Sequence, residues 1–236
     1  MLLSEPNLNT NAILTPSPAI LATNLAKTVG DAANPISILR DCQLSVSQGE
    51  SVAIVGSSGS GKSTLLGLLA GLDHPTSGSV TVAGAAFSGL DEDARAVIRG
   101  QKMGFIFQSF QLLNTMTALE NVMLPMQLAN RKDAREVAMV TLEKVGLADR
   151  LTHYPKQLSG GEQQRVAIAR AFAPQPAILF ADEPTGNLDI ATGERIIELL
   201  FSLNRASNST LILVTHDVQL AKRCARVLTL QNGQLS

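Results

Sequence analysis

The chain has 236 residues, of which 19 are basic and 20 acidic, so its formal net charge is −1. A nearly neutral chain lacks the strongly basic surface that binds nucleic-acid phosphates, and aromatic residues, at 3%, are too few to stack on single-stranded bases. We therefore expect no nucleic-acid partner. The length favours one large domain whose core needs no metal ion or disulfide for its stability.

The sequence also bears on the cell compartment. The two cysteines, Cys42 and Cys224, lie far apart and match no metal-binding spacing, which favours buried, reduced thiols. No apolar run approaches the ~18–20 residues of a membrane span, and the N-terminus lacks the basic and apolar regions of a signal peptide. We expect a soluble cytoplasmic chain, so work at a membrane would require a separate membrane-spanning subunit.

Apolar patterning predicts strands and helices along most of the chain. Residues 1–18 are rich in Asn, Ser, Thr and Pro without a period, so we predict a disordered tail there and a single domain over 19–236. Residues 36–46 alternate apolar and polar side chains, as in a strand pair with one face in solvent. Further strands are predicted at 51–55, 79–83, 103–107, 177–181, 210–214 and 226–230, and helices at 62–70, 90–99 and 190–204.

Strands that alternate with helices indicate an α/β fold with a parallel sheet covered on both faces. A mostly helical stretch, about 109–173, interrupts the alternation, and we interpret it as an inserted helical lobe. Within it a helical pattern runs from 117 to about 151, with one apolar face formed by Ala134, Val137, Ala138, Leu142 and Val145.

The strongest local motif follows the strand at 51–55. It matches the pattern G-x-x-x-x-G-K-[ST] and comprises Gly56, Ser57, Ser58, Gly59, Ser60, Gly61, Lys62, Ser63 and Thr64. The glycines allow successive backbone N–H groups to point at phosphate oxygens, and the helix that begins near Lys62 adds its positive end. We expect Lys62 to reach the β- and γ-phosphates of a nucleotide and the Ser63 hydroxyl to bind Mg²⁺. A flexible linker is disfavoured, because the motif lies between two apolar elements.

A second motif consists of two carboxylates that follow the apolar run 178–181. Adjacent strand residues point in opposite directions, so Asp182 and Glu183 are predicted to have different roles. We expect Asp182 to hold Mg²⁺ through water, and Glu183 to orient and deprotonate the attacking water. Two acids alone would fit an ordinary solvated strand end, but the phosphate motif upstream favours the catalytic interpretation.

A third motif comprises Leu158, Ser159, Gly160, Gly161 and Glu162 and continues as Gln163-Gln164-Arg165. It combines a hydroxyl, two glycines and a helix start, and so predicts a second anion-binding site. The run resembles the signature of ATP-binding-cassette (ABC) ATPases, in which two copies pair head to tail and each signature caps the ATP held by the other copy. A capped surface helix would explain the Ser-Gly-Gly-Glu part, but not the whole run between two nucleotide motifs.

The resemblance covers about residues 19–236 and assigns roles to further positions. Gln108 resembles the Q-loop glutamine, which contacts Mg²⁺ or the attacking water. Asp189 resembles the D-loop acid that reaches across the dimer, and His216 resembles the H-loop histidine that hydrogen-bonds the γ-phosphate. The fold that the family implies is a P-loop NTPase with a parallel core sheet, an N-terminal antiparallel β subdomain and an inserted α-helical subdomain.

One position departs from the family pattern. The family usually places an aromatic residue before the P-loop, where it stacks on adenine, and the matching position here is Val29. Valine can pack against the base but has no aromatic face. We therefore expect weaker or less base-selective nucleotide binding.

Together these features predict an ATPase that uses ATP and Mg²⁺, forms a homodimer when ATP binds, and drives an integral membrane permease from the cytoplasmic face of the inner membrane. The runs 91–95 and 181–189 resemble cassettes of lipoprotein-release and macrolide-exporter-type permeases. The apolar stretch 112–128 is our candidate docking surface, although its side chains fit the core of the helical lobe equally well.

Other functions were weighed against this one. The spacing leaves no room for the long insertion of DNA-repair ATPases, and one cassette is present where translation-factor ATPases have two. The N-K-x-D motif of GTPases is absent from the sequence. The alternative that stays open is the same ATPase driving a permease-like partner for mechanical signalling or lipid extraction instead of solute transport.

Overall fold

The computed structural model describes residues 17–31 and 33–236, which form two β-sheets and seven α-helices together with short 3-10 turns. The predicted tail at 1–18 lies outside the described residues except for its last two positions. The strands are β1 (Ile20–Val29), β2 (Ile36–Val46), β3 (Ser51–Val55), β4 (Ser77–Val82), β5 (Ala85–Ala86), β6 (Met103–Phe107), β7 (Ile178–Asp182), β8 (Thr210–Thr215), β9 (Arg226–Gln231) and β10 (Gln234–Leu235).

Six strands form the central sheet in the order β10-β9-β3-β8-β7-β6, with all neighbours parallel except the β9–β10 pair. Its core strands are continuous apolar runs because both faces are covered. Along β8, Leu211 and Leu213 belong to one hydrophobic cluster, whereas Ile212 and Val214 belong to the cluster on the opposite face. The predicted α/β class with a parallel core sheet is confirmed.

The second sheet is antiparallel, in the order β2-β1-β4-β5. It shares a hydrophobic cluster with the first helix, α1 (Lys62–Leu69), and with one face of the central sheet. Residues 36–46 form one eleven-residue strand, β2. Its partner is β1, which the sequence patterning did not identify as a strand. The register between them shifts at several places, so β1 has no regular alternation that a sequence pattern could reveal.

The helices are α1 (Lys62–Leu69), α2 (Glu92–Lys102), α3 (Ala118–Leu128), α4 (Ala134–Lys144), α5 (Gly160–Phe172), α6 (Ile190–Ser207) and α7 (Val218–Ala221). The helical pattern predicted over 117–151 is divided into α3 and α4 because Asn130 adopts a φ of +55 and ends α3. Helices α3, α4 and α5 share a hydrophobic cluster with α6 and the central sheet. Among the described residues, no helix combines the length and apolarity needed to cross a membrane.

Helices α3 and α5 begin with matching capping boxes. The Ser159 backbone N–H donates to Glu162 Oε2 at 2.8 Å, and the Glu162 N–H donates to Ser159 Oγ at 3.3 Å. Thr117 and Glu120 make the same two contacts at 2.7 and 3.3 Å. The Ser159 N–H is the main reason why the pKa of Glu162 falls to about 2, so this glutamate is ionised at the positive end of α5.

Alanine should have opposite effects on stability at Gly104 and Gly100, because only Gly104 is packed closely against α5. A Cβ at Gly104 in β6 would lie 2.6 Å from the Ala171 carbonyl oxygen, so we expect Gly104→Ala to destabilise the protein by about 1–3 kcal/mol. Gly100 in α2 is exposed with open space around it, and Gly100→Ala should stabilise by about 0.5–1 kcal/mol because glycine loses more backbone entropy on folding. Urea denaturation measures both, and equal effects would contradict the packing argument.

Candidate active site

The predicted phosphate-binding motif forms the loop between β3 and α1. Gly61 has a φ of +99, a backbone conformation that glycine adopts without strain. At Gly56 a Cβ would lie 2.4 Å from the Leu230 carbonyl oxygen, so the loop passes too close to β9 for a side chain. Lys62 is only 8% exposed, and its Nζ donates to the carbonyl oxygens of Gly56 and Ser57 at 2.9 Å each. The Lys62 ammonium group thus lies across the loop, bonded to two of its carbonyl oxygens.

Three neighbouring parallel strands bring the other predicted groups to the same edge. The register places Asp182 of β7 between Phe107 of β6 and Val214 of β8. Gln108 follows β6, Glu183 follows β7, and His216 follows β8. The carboxyl ends of parallel strands meet at one edge of a sheet, so residues far apart in the chain become neighbours.

Glu183 has a backbone conformation that is unusual for a residue with a side chain. Its φ is +45, in the left-handed region, where a non-glycine residue carries ~1–3 kcal/mol of strain. His216 Nδ1 lies 2.8 Å from Glu183 Oε1, and Thr215 Oγ1 donates to Oε2 at 3.3 Å. The Glu183 side chain is 16% exposed and the His216 ring 71%. An ionised carboxylate only accepts, so His216 Nδ1 carries a proton in this arrangement.

Asp182 and Ser63 form an oxygen-rich corner beside Lys62. The pKa of Asp182 is raised above its ordinary value, chiefly by burial and also by the charge of Glu183. A hydrogen bond from Ser63 and the charge of Lys62 oppose this rise only in part. One carboxylate and one hydroxyl suit Mg²⁺, which binds few protein groups and takes its other ligands from phosphates and water. The described part of the chain holds no group of three or more His, Cys, Asp or Glu side chains that could hold a metal ion.

Gln108 is held by Asn187, two residues before the predicted D-loop acid Asp189, in a contact that the sequence did not predict. Its Nε2 donates to Asn187 Oδ1 at 3.3 Å, and Asn187 Nδ2 donates to the Gln108 carbonyl oxygen at 3.0 Å. A Cβ at Gly186 would lie 2.7 Å from Gln108 Nε2, so the glycine makes room for this contact. The segments after β6 and β7 are therefore bonded to each other.

These groups line one cleft of about 1220 Å³, which includes residues 57–64, Gln108, Asp182, Glu183 and His216. That volume exceeds the ~300–1,000 Å³ typical of small-ligand pockets and accommodates a nucleotide with its metal ion. The buried Ser60 Oγ lies beside Gly56 and has no hydrogen-bond partner among the described residues. The cleft therefore fits a nucleoside triphosphate and Mg²⁺.

The opposite wall of the cleft was not predicted. It consists of Ile36, Ser37, Ile38 and Arg40 of β2, of Gln231 at the end of β9, and of Asn232 and Gly233 in the turn that follows. The Arg40 N–H donates to the Gly233 carbonyl oxygen at 2.7 Å, which joins the two sheets. No motif marks these residues, since only the packing of the two sheets places them here. Val29 is the partner of Ile36 in the antiparallel sheet, so the position that lacks an aromatic ring lies next to this wall.

The third motif does not line this cleft, and neither does Asp189, among the described residues. Ser159 caps α5, and Asp189 caps α6 by accepting the Thr192 N–H at 3.0 Å. The two helix starts lie side by side, since a Cβ at Gly160 would be 3.4 Å from Leu188 Cδ2. Both caps are exposed to solvent. The chain thus presents two capped, exposed helix starts side by side, outside the cleft that its own P-loop lines.

The comparisons with known proteins agree with this geometry. Residues 39–186 match the family described as ABC transporter. The ABC transporter ATP-binding protein YbbA of Escherichia coli K12 is 56% identical over 214 residues, which cover 90% of this chain and 94% of that protein. The lipoprotein-releasing system ATP-binding protein LolD of Legionella pneumophila strain Lens is 48% identical over 218 residues, covering 92% and 96%.

A solved structure extends the likeness to the fold. The dimeric, post-hydrolysis state of the ATP-binding cassette MJ0796, bound to ADP and Pi, superposes with a TM-score of 0.85 at 41% identity and covers 92% of this chain and 96% of that one. The family match spans more than half of the chain, and the relatives match almost all of it. This chain therefore belongs to the ABC transporter family, as an ATP-binding cassette with ATPase activity.

Proposed function

We propose that this cassette binds MgATP in the cleft, hydrolyses it within a homodimer, and drives a membrane permease of the lipoprotein-release or macrolide-exporter type from the cytoplasmic face of the inner membrane. The observation that carries the proposal is the Glu183 carboxylate, held by His216 at 2.8 Å in the same cleft as the phosphate-binding loop. The name of the relative LolD, a lipoprotein-releasing system protein, supports the transport class over mechanical signalling or lipid extraction.

In this proposal the backbone N–H groups of residues 57–63 bind the phosphates of ATP, and Lys62 reaches the β- and γ-phosphates. Ser63, Gln108 and Asp182 hold Mg²⁺, which when bound neutralises the charge that develops on the phosphate oxygens. Because Val29 offers no aromatic face, the base is held by aliphatic packing beside Ile36, and we expect weak discrimination between ATP and GTP.

Glu183 accepts the proton of the attacking water. Its carboxylate is hydrogen-bonded to Thr215 at the end of β8 and to His216, which follows that strand. The orientation of the carboxylate is therefore set before the substrate arrives. His216 contacts Glu183 through Nδ1, which leaves Nε2 for the γ-phosphate. The ring therefore positions both the base and the phosphate.

The base role of Glu183 predicts a separation of hydrolysis from binding. We expect Glu183→Gln to lower ATP turnover roughly 10²–10⁴-fold, since general-base catalysis contributes that much, while MgATP affinity is retained. The matched control is Glu143→Gln, on the exposed side of α4, which should leave turnover unchanged. Phosphate release and binding of a fluorescent ATP analogue measure the two quantities, and normal hydrolysis by Glu183→Gln would disprove the assignment.

The homodimer completes each site in this proposal. The exposed starts of α5 and α6 form a single surface with Ser159, Gly160, Gly161 and Asp189, away from the cleft of their own chain. We infer that Leu158–Glu162 of one copy caps the γ-phosphate of the ATP bound to the other. The solved MJ0796 cassette, itself dimeric, supports this arrangement.

The two capping boxes give a matched test of this dimer. In the Glu183→Gln background, which retains ATP, we expect a dimer in size-exclusion chromatography, and Ser159→Ala should shift it toward monomer. Thr117→Ala removes the same cap from α3 and should cost similar stability, ~1 kcal/mol, without affecting dimerisation. Equal loss of dimer in both variants would show that Ser159 acts only as a helix cap.

A groove of about 330 Å³ beside the cleft is the proposed docking site for the permease. It is lined by Phe105, Phe107, Gln111, Leu124, Pro125, Leu128 and Arg170, among others. Leu128 is 76% exposed at the end of α3, so the groove has an apolar side chain at its rim that is open to solvent. Arg170 donates to the carbonyl oxygens of Phe110 and Gln111, at 2.9 and 2.6 Å, so the groove wall is continuous with the segment that carries Gln108.

Aspartate substitutions at two exposed leucines, one inside and one outside the groove, test this docking site. We expect Leu128→Asp to lose copurification with the proposed permease partner, and to lose permease-stimulated ATPase activity, since a charge would be buried in an apolar contact. The basal ATPase rate should hold, because Leu128 lies outside the nucleotide cleft. Leu72→Asp, at an exposed leucine outside the groove, is the control. Copurification that survives Leu128→Asp would place the contact elsewhere.

A further inference from the structure

A buried amide in α5 contacts the segment that carries the catalytic base. Gln164 is fully buried, and its Nε2 donates to the Pro184 carbonyl oxygen at 2.6 Å. Pro184 directly follows Glu183 and has no N–H, so this carbonyl is its sole backbone hydrogen-bonding group. The contact therefore joins the second turn of α5 to the residue next to the base.

Packing alone does not explain an amide at this position. Gln164 Oε1 is buried and has no hydrogen-bond partner among the described residues. A buried amide with one unsatisfied atom destabilises a core, whereas leucine or methionine would fill a similar volume without that cost. What glutamine adds over leucine or methionine is thus the donor, and its acceptor is Pro184.

The contact lies where the backbone needs support. Glu183 has a φ of +45, and its own N–H donates to the Val214 carbonyl oxygen at 2.9 Å. A strained conformation persists only when its surroundings hold it on both sides. Val214 restrains the residue on the β8 side, and Gln164 restrains it on the α5 side through Pro184.

We propose that Gln164 is a positioning residue for ATP hydrolysis: it fixes the Pro184 carbonyl and thereby holds Glu183 in the conformation that aims its carboxylate at the attacking water. The proposal rests on the proposed function, because it takes Glu183 as the base. Gln164 itself touches neither the nucleotide cleft nor the groove. Because Ser159 lies at the start of the same helix, the amide also links the surface that caps the partner's nucleotide to the base of its own chain.

The first test is Gln164→Leu, which keeps the volume and removes the donor. We expect single-turnover hydrolysis to fall roughly 10–100-fold, since a small misplacement of a catalytic group costs up to about 10²-fold, while the Kd for a fluorescent ATP analogue with Mg²⁺ stays within about twofold. Asn204→Leu is the matched control, because it replaces another buried amide with an unpartnered oxygen, in α6, outside the cleft. It should leave turnover unchanged.

The second test uses Gln164→Glu, which has the same shape as glutamine. A neutral carboxyl has one O–H and can donate to the Pro184 carbonyl, whereas the carboxylate cannot. Burial raises the pKa of such a group, so between about pH 6 and 9 the turnover of Gln164→Glu relative to wild type should fall as the pH rises. The relative turnover of Gln164→Leu should not change with pH, because it has no group to titrate.

The outcomes separate the inference from the function on which it rests. A Gln164→Leu variant that hydrolyses ATP within about twofold of wild type, or a Gln164→Glu variant whose relative turnover is independent of pH, overturns the positioning role. Parallel losses of ATP binding and hydrolysis, accompanied by the same losses in Asn204→Leu, also overturn it, because they indicate a purely structural role. A wild-type protein with no MgATPase activity would instead overturn the proposed function. Should Gln164→Leu fail to fold, Gln164→Glu decides alone.

Discussion

The register of three parallel strands is the constraint on which the site depends. Asp182 lies opposite Phe107 on one side and Val214 on the other, so Gln108, Glu183 and His216 emerge together within one or two residues of those positions. A slip of one residue in β7 would exchange its two faces and turn the carboxylates into the hydrophobic clusters. The apolar side chains that alternate between the two faces of β7 and β8 therefore hold the catalytic groups in place as well as the core.

Short contacts extend from this edge in two directions. Phe107 and Gln111 line the apolar groove, Gln108 between them lines the nucleotide cleft, and Asn187 bonds the same segment to the start of α6. On the other side Gln164 bonds α5 to the residue after Glu183. The proposed permease groove and the exposed helix starts are therefore each connected to the cleft by a few covalent and hydrogen bonds.

The elements predicted from sequence were those with a strong local pattern. The P-loop, the strands at 51–55, 103–107 and 210–214, and the helix at 190–204 each depend on neighbouring residues, and the structure has an element at each position. Strand β1 was not identified because its register shifts disturb the alternation, and the break between α3 and α4 depends on one left-handed residue, Asn130. Arg40 belongs to no motif, and the motif runs that contain Asn187 and Gln164 do not reveal what these two residues contact, because each bonds to a partner distant in the chain.

By itself, the amino-acid order determined the chemistry available to this protein: a glycine-rich loop before a helix binds phosphate, and two acids after an apolar strand supply a metal ligand and a base. Such motifs work through local backbone geometry, which a few adjacent residues specify. Only the tertiary structure decided which wall faces the nucleotide, which amide supports Glu183, and that the Ser159 helix start lies outside the cleft of its own chain. Those relations arise from the packing of sheets and helices, whose contacts join residues that no spacing in the sequence connects.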